Sequence, residues 1–207
     1  MLLSADLASG LRKDILLGKY ARGYKLTEQQ ICSEYDVSRT PVREALRQLE
    51  MEGLIEVIHN RGAYVLGFSE QDIRDIFELR KTYEIQAVKW AIERITDNEL
   101  DELEEIFGFM EFYTQKNDLD KMIKINTNFH QLIYKALHNR MLGNLLSSYH
   151  LYTEYAKKSQ TFNDNYLSTV LEEHRGIFDA FKTKDIELGL RATERHMNKS
   201  FERQYGI

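Results

Sequence analysis

One cysteine, one proline and no long apolar run are the first features of this chain of 207 residues. A lone cysteine, Cys32, excludes an internal disulfide and any cysteine-rich zinc module, and its helical surroundings read as those of a small core residue. No stretch approaches the roughly 20 apolar residues that a membrane-spanning helix requires. The first residues also lack the pattern of a secretory signal. The expectation is a cytoplasmic protein with no membrane partner. Excess basic charge is missing too. The formal net charge is −5, which argues at first against nucleic acid, because phosphate contacts need lysine and arginine.

The length allows one large or two small domains, each with its own core. Two is the reading, residues 1–68 and residues 69–207. Residues 1–68 hold 9 Lys+Arg and 9 Asp+Glu, so the whole acid excess, 24 against 19, falls in the remainder. Between Arg39 and Arg47 three arginines face only Glu44. The basic field is a local patch, and any binding that uses it should be steeply salt-sensitive.

That patch lies in Ser38–Leu46, SRTPVREAL. Ser38 is placed to cap a helix with its hydroxyl. The proline, Pro41, falls in the first turn, where its missing N–H would have had no intrahelical partner. Val42, Ala45, Leu46 and Leu49 share an apolar face, leaving Arg39, Thr40, Arg43 and Arg47 at the start or on the wet side. Before it, a helix over about Ala5–Leu17 and a second opened by Thr27 and Gln30 are predicted. After it, Gly53 terminates the helix, and IEVIH and GAYVL read as two strands around Asn60-Arg61-Gly62.

The stretch LTEQQICSEYDVSRTPVREALRQLEMEGLIEVIHNRGAYV resembles the winged helix-turn-helix of GntR-type bacterial transcription regulators, and the likeness runs from about Leu7 to Val65. Arg22-Gly23 departs from the Pro-Gly usual before the second helix. The resemblance implies that Arg39 and Arg43 contact base edges and that Ser38, Thr40 and Arg47 contact phosphates or flanking bases. It also implies that Arg61-Gly62 approaches the minor groove. Arginine suits base reading because its fork pairs with guanine O6 and N7 together. A helical module using the same fold to bind protein is the competing reading, and it leaves the clustered arginines without a reason. The expected partner is a double-stranded operator with inverted-repeat symmetry, bound by a homodimer.

From Ser69 onward there are no strand signals and no further proline. Helices are predicted over Ser69–Ile95, Asp97–Gln115, Asp118–Leu137, Met141–Lys158, Asn165–Thr183 and Asp185–Tyr205, with a Thr96/Glu99 capping box on the second. The fold class is therefore mainly α, a winged helix-turn-helix followed by an all-helical bundle. This second part resembles the FCD ligand-binding domain of the FadR branch of the GntR family, with the six helices of its VanR-type subgroup.

Polar residues on the inward stripe of an amphipathic helix need a reason. Ile123, Asn126, His130, Ile133 and Leu137 share one face, as do Val170, His174, Ile177, Phe178 and Phe181. His196 follows Gly189 and Thr193 and precedes Ser200, small residues that would leave room beside it. Imidazole is a preferred ligand of zinc and nickel, and an i, i+4 pair such as Asn126 and His130 can serve one site. The FCD resemblance implies a divalent transition metal held by an aspartate and three histidines, matching Asn126, His130, His174 and His196, with Asn126 the departure. His59, His138 and His150 read as wing surface, helix end and bundle surface.

Arg80 and Glu84 lie on an inward stripe with Ile73, Ile76, Phe77, Ala87 and Ala91, as an ion pair or with Arg80 facing a cavity. The resemblance favours an arginine that meets a small carboxylate effector there. Tyr149, Tyr152 and Thr153 are further pocket candidates. A metal-dependent enzyme, or a regulator responding to metal alone, are the alternatives. Catalysis would want a general-base carboxylate beside the metal, and none is expected on these stripes. The sequence thus points to a metabolite-responsive regulator.

Overall fold

A computed structural model describes residues 4–59, 61–156 and 165–205, with side chains described through Glu154 in the second span. The chain divides into two compact units, Met1–Arg74 and Asp75–Ile207. The division falls inside one long helix, α4.

In the first unit, α1 (Ser4–Leu16) buries Leu7, Ala8, Leu11 and Ile15, the one-sided spacing of a helix on a core. A two-residue strand, β1 (Lys25–Leu26), precedes α2 (Glu28–Tyr35), and sequence patterning had no signal for so short an element. Thr27 caps α2 by accepting the Gln30 backbone N–H at 3.2 Å. Asp36 closes it in the left-handed region at φ 51°, a conformation that Asp tolerates better than most residues. The recognition helix α3 (Arg39–Met51) buries Val42, Ala45, Leu46 and Leu49 as expected.

Ser38 stands at the N-cap in extended backbone, but its hydroxyl accepts no hydrogen bond from the helix. The residue is exposed, so water can serve the first-turn N–H groups and the capping bond is dispensable. At the other end the Leu54 N–H reaches the Leu49 carbonyl at 3.0 Å, closing the turn through Gly53 at φ 71°.

β2 (Ile55–Ile58) and β3 (Gly62–Val65) pair antiparallel, with Ile55 opposite Val65 and Ile58 opposite Gly62. β1 joins the other edge of β3, giving the order β1-β3-β2. Gly62 has φ 108°, a conformation closed to residues with a Cβ, so the wing tip needs glycine there. Asn60 of the expected turn lies outside the described residues.

The second unit is helical: α4 (Glu70–Arg94), α5 (Asp97–Gln115), α6 (Leu119–Ala136), α7 (Arg140–Ala156), α8 (Tyr166–Thr183) and α9 (Ile186–Tyr205). The Thr96/Glu99 capping box forms with both of its reciprocal bonds. The end of the expected fourth helix, through Lys158, lies outside the described residues. α8 packs on α5 and α9, and α6 packs on α5 and α7. Phe107 of α5 stacks on Phe178 of α8 with centroids 4.5 Å apart, and Phe129 of α6 is fully buried beside them.

Gly189 does not leave room beside His196. A Cβ there would lie 2.5 Å from Ile92 and 3.2 Å from Val88, so this glycine lets α9 sit close on α4.

Candidate functional site

Ser38, Arg39, Thr40, Arg43, Arg47 and Arg61 are all exposed, and Gly62 is half-buried. A groove of about 440 Å³ between α3 and the β2–β3 hairpin is lined by Lys25, Glu28, Arg43, Arg47, Arg61 and Gly62. Four cations against two carboxylates, Glu28 and Glu50, leave a local positive field around this groove on a chain of net negative charge. Glu28 sits inside that field. Its carboxylate accepts the Arg43 Nε–H at 2.7 Å, and this bond holds the carboxyl below its ordinary pKa range. Lys25 and Glu28 escaped the sequence reading, because the fold alone brings β1 and the start of α2 beside the recognition helix.

In the bundle, α6, α8 and α9 converge their inward histidines. His130, His174 and His196 are buried, and each places a ring nitrogen within 4.8 Å of the others. His174 Nδ1–H donates to the Val170 carbonyl at 2.7 Å. His196 Nδ1–H donates to Glu173 Oε2 at 3.0 Å. Both bonds fix the Nε2 nitrogens as unprotonated acceptors, the tautomer that coordinates metal. His174 Nε2 and His130 Nε2 lie 3.2 Å apart, a hydrogen-bond distance when His130 carries the proton. Two nitrogens bound to one tetrahedral zinc would stand about 3.3 Å apart, so the residues present fit a shared cation. The Asn126 Oδ1 is buried without a hydrogen-bond partner among the described residues.

A polar network adjoins the cluster. Arg80 donates through Nε to Glu84 at 3.1 Å, through Nη1 to the Thr153 hydroxyl at 2.8 Å and through Nη2 to His150 Nδ1 at 2.7 Å. Tyr134 donates its hydroxyl to Glu84. Arg80 is therefore both a buried ion-pair partner and a hub on α4. Thr153 and Tyr152 are buried, and Tyr149 enters through its backbone carbonyl, which accepts the Thr153 hydroxyl at 3.0 Å.

His150 corrects the sequence reading, which left it on the bundle surface. It is 1 % exposed, and with Glu84 and His130 it forms a second group of potential metal ligands. Its burial was legible in principle, since Leu146, His150 and Thr153 follow helical spacing. The expectation of no nearby carboxylate is corrected as well. Glu84 and Glu173 both stand at the cluster, but each is held by a guanidinium. Arg203 clamps Glu173 through Nη1 at 2.5 Å and Nη2 at 2.9 Å. Val170, Glu173 and Ile177 share a buried helix face, the signal that would have found Glu173.

Residues 3–65 match the family described as bacterial regulatory proteins, gntR family, and residues 75–199 match the FCD domain. The chain belongs to the GntR family. The HTH-type transcriptional regulator YdhC of Bacillus subtilis is 31 % identical over 193 residues, covering 93 % of this chain and 86 % of that protein. The HTH-type transcriptional repressor RspR of Escherichia coli is 26 % identical over 192 residues, covering 93 % and 84 %. In fold, the chain is similar to Escherichia coli McbR/YncC, with a TM-score of 0.79 and 22 % identity over 100 % of this chain and 98 % of that one. This GntR-family chain is thus a transcription regulator with an FCD domain, and its family and relatives are regulators rather than enzymes. Among the described residues no helix is long and apolar enough to cross a membrane.

The buried histidines of this FCD domain give it a definite response to acid. Burial, reinforced by the neighbouring histidines and Arg80, drives His130 well below its ordinary pKa of 6.5, and burial does the same to His174. Unfolded histidines take up protons near 6.5, whereas these resist them, so the unfolded state binds more protons as pH falls. Glu173 acts later. Burial alone would raise its carboxyl, but the His196 bond and Arg203 outweigh burial and hold it at about 2. Its stabilisation is complete above the ordinary carboxylate range and is lost as pH falls toward that value. The expected result for metal-free protein is a melting temperature steady near neutrality that falls progressively below about pH 6.5. A melting temperature unchanged down to about pH 5 would contradict neutral burial of these histidines.

Proposed function

We propose that this regulator binds an inverted-repeat DNA operator as a homodimer, in the cytoplasm, and that a small carboxylate bound in the bundle changes its operator affinity. Arg39 and Arg43 read base edges. Ser38, Thr40 and Arg47 hold phosphates or flanking bases, and Arg61 and Gly62 enter the minor groove. The Ser38 hydroxyl, unused as a cap, is available to a phosphate oxygen. In free protein Glu28 steadies the Arg43 fork, and a guanine edge takes its place as partner.

In the bundle Asn126, His130, His174 and His196 hold a divalent transition metal, zinc or nickel by the preference of imidazole. The bound cation supplies a positively charged anchor for a carboxylate oxygen. Val170 and Glu173 keep two of the imidazoles in the coordinating tautomer. Arg80 orients the acid beside Tyr149, Tyr152 and Thr153. Its Nη1 and Nη2 nitrogens each carry a second N–H beyond those given to Thr153 and His150, and since Tyr134 also hydrogen-bonds this guanidinium, an acid met there takes the place of that contact. The observation that carries this reading is the anchoring of His174 and His196 through Nδ1, which leaves both Nε2 atoms as acceptors.

The test is a mobility-shift titration of metal-loaded protein against operator DNA with a panel of small organic acids. One acid is expected to change operator affinity by about 5- to 150-fold, the usual range of allosteric coupling. Arg80→Lys keeps the charge opposite Glu84 but removes the fork, and is expected to weaken the response. A full response in Arg80→Lys would remove Arg80 from the effector site. Indifference to every acid in the panel would count against the effector reading.

A further inference from the structure

The outward face of α5 carries a pattern that its own fold does not use. Glu105, Phe109, Phe112 and Lys116 follow one another at intervals of four, three and four residues, which sets them on a single stripe of the helix. Lys116, at the C-cap, keeps helical backbone. All four side chains are exposed, the phenylalanines 42 % and 50 %. The flanks of α5 are engaged by the bundle. Glu102 pairs with Lys135 of α6, and Glu104 and Glu111 pair with Lys182 and Arg175 of α8. Glu105, in contrast, enters no ion pair among the described residues. Lys116 places its Nζ 5.7 Å from the ring centre of Phe112, its neighbour on the same stripe. Gly108 borders the stripe in mid-helix, where glycine is unfavourable. A Cβ there would meet nothing within 4 Å, so packing inside this chain gives no reason for it. A helix approaching closely from outside does.

The spacing reads the same from both ends. About a two-fold axis level with the midpoint between Met110 and Glu111, an antiparallel copy of α5 brings Phe109 of one copy opposite Phe112 of the other, and Glu105 opposite Lys116. Aromatic then meets aromatic and acid meets base, and the symmetry makes each contact twice.

We infer that α5 is a self-association surface whose occupant is α5 of a second copy of this chain, packed antiparallel. The stripe extends only about 16 Å at roughly 1.5 Å per residue, so the area it buries falls short of the ~800 Å² per partner of a stable interface. The contact is therefore weak between free molecules. It closes when two copies are already held near each other, as on adjacent DNA sites, where the effective concentration is high. One bound regulator then helps to retain its neighbour, which makes occupancy of adjacent sites cooperative.

The experiment is sedimentation equilibrium of the full chain without DNA over a wide range of protein concentration. Wild type is expected to gain mass with concentration beyond its smallest assembly. Glu105→Lys and Lys116→Glu each turn two attractions into two repulsions, and each is expected to weaken that step about tenfold, the sum of several exposed-pair effects. The double variant Glu105→Lys/Lys116→Glu exchanges the charges and is expected to recover wild-type association. Both positions are on the surface, so the melting temperatures of the variants are expected to match wild type and to show that the fold is intact. Single reversals that associate like wild type would overturn the inference. So would a double variant that fails to recover, because the antiparallel register requires the exchange to be neutral. A dimer of constant mass in every variant and at every concentration would overturn it too, while leaving the homodimer proposed above in place on another face.

Discussion

Arg43→Ala is expected to abolish specific operator binding while leaving the fold intact. The Arg43 side chain is 65 % exposed on α3 and its bond in free protein is to Glu28 on the surface, so its loss removes no core contact. A bidentate arginine–guanine pair sets discrimination of roughly tenfold or more per half-site. A two-fold operator loses that factor twice, which brings the variant close to its non-specific affinity. Arg47→Ala, proposed to touch phosphate or flanking bases, is expected to weaken binding more evenly across sequences and to flatten the salt dependence. Mobility shifts of both variants on operator and scrambled DNA separate the two roles. Wild-type discrimination by Arg43→Ala would sink the base-reading assignment.

His174→Ala is expected to erase the stabilisation that zinc confers. A ligand at a hundredfold excess over its dissociation constant stabilises the native state by about 2.7 kcal/mol. For chains of 150–250 residues that is a rise in melting temperature of roughly 5–10 °C. His174 supplies a buried Nε2 at the centre of the cluster, 3.2 Å from His130 Nε2, so its removal takes away a ligand outright. Glu173→Gln leaves all three imidazoles in place but replaces the carboxylate that orients His196 with a neutral amide. Metal affinity is then expected to fall about 10- to 100-fold, the usual effect of losing such a partner, with a smaller thermal shift rather than none. A chelator should return wild type to the metal-free melting temperature. An equal zinc shift in wild type and His174→Ala would mean that zinc binds elsewhere.

The sequence alone determined the local elements, because they follow from rules that act over a few residues. The apolar stripe Val42, Ala45, Leu46 and Leu49, the Thr96 capping box and the Gly53 terminator each depend on neighbours within about two helical turns, and the structure places them as expected. The inward histidines at 130 and 174 were legible for the same reason, whereas His196, on a face of Gly189, Thr193 and Ser200, was not. A polar residue on an otherwise apolar stripe marks itself without a partner being known.

Only the tertiary structure decided which of these residues meet. Glu28 and Arg43 are 15 residues apart, and Arg80 and His150 are 70 apart, separations across which no periodicity carries information. His150 looked like surface because a helix face is inward or outward only relative to what packs on it, and α7 turns that face toward α4 and α6. Gly189 looked like space and proved to be a close helix contact, since the side chains that fill it, Ile92 and Val88, belong to another helix. The same holds for the charge balance of the cluster. The sequence placed an amide at 126, but the pairing of Glu84 with Arg80 and of Glu173 with Arg203 is a product of helix packing.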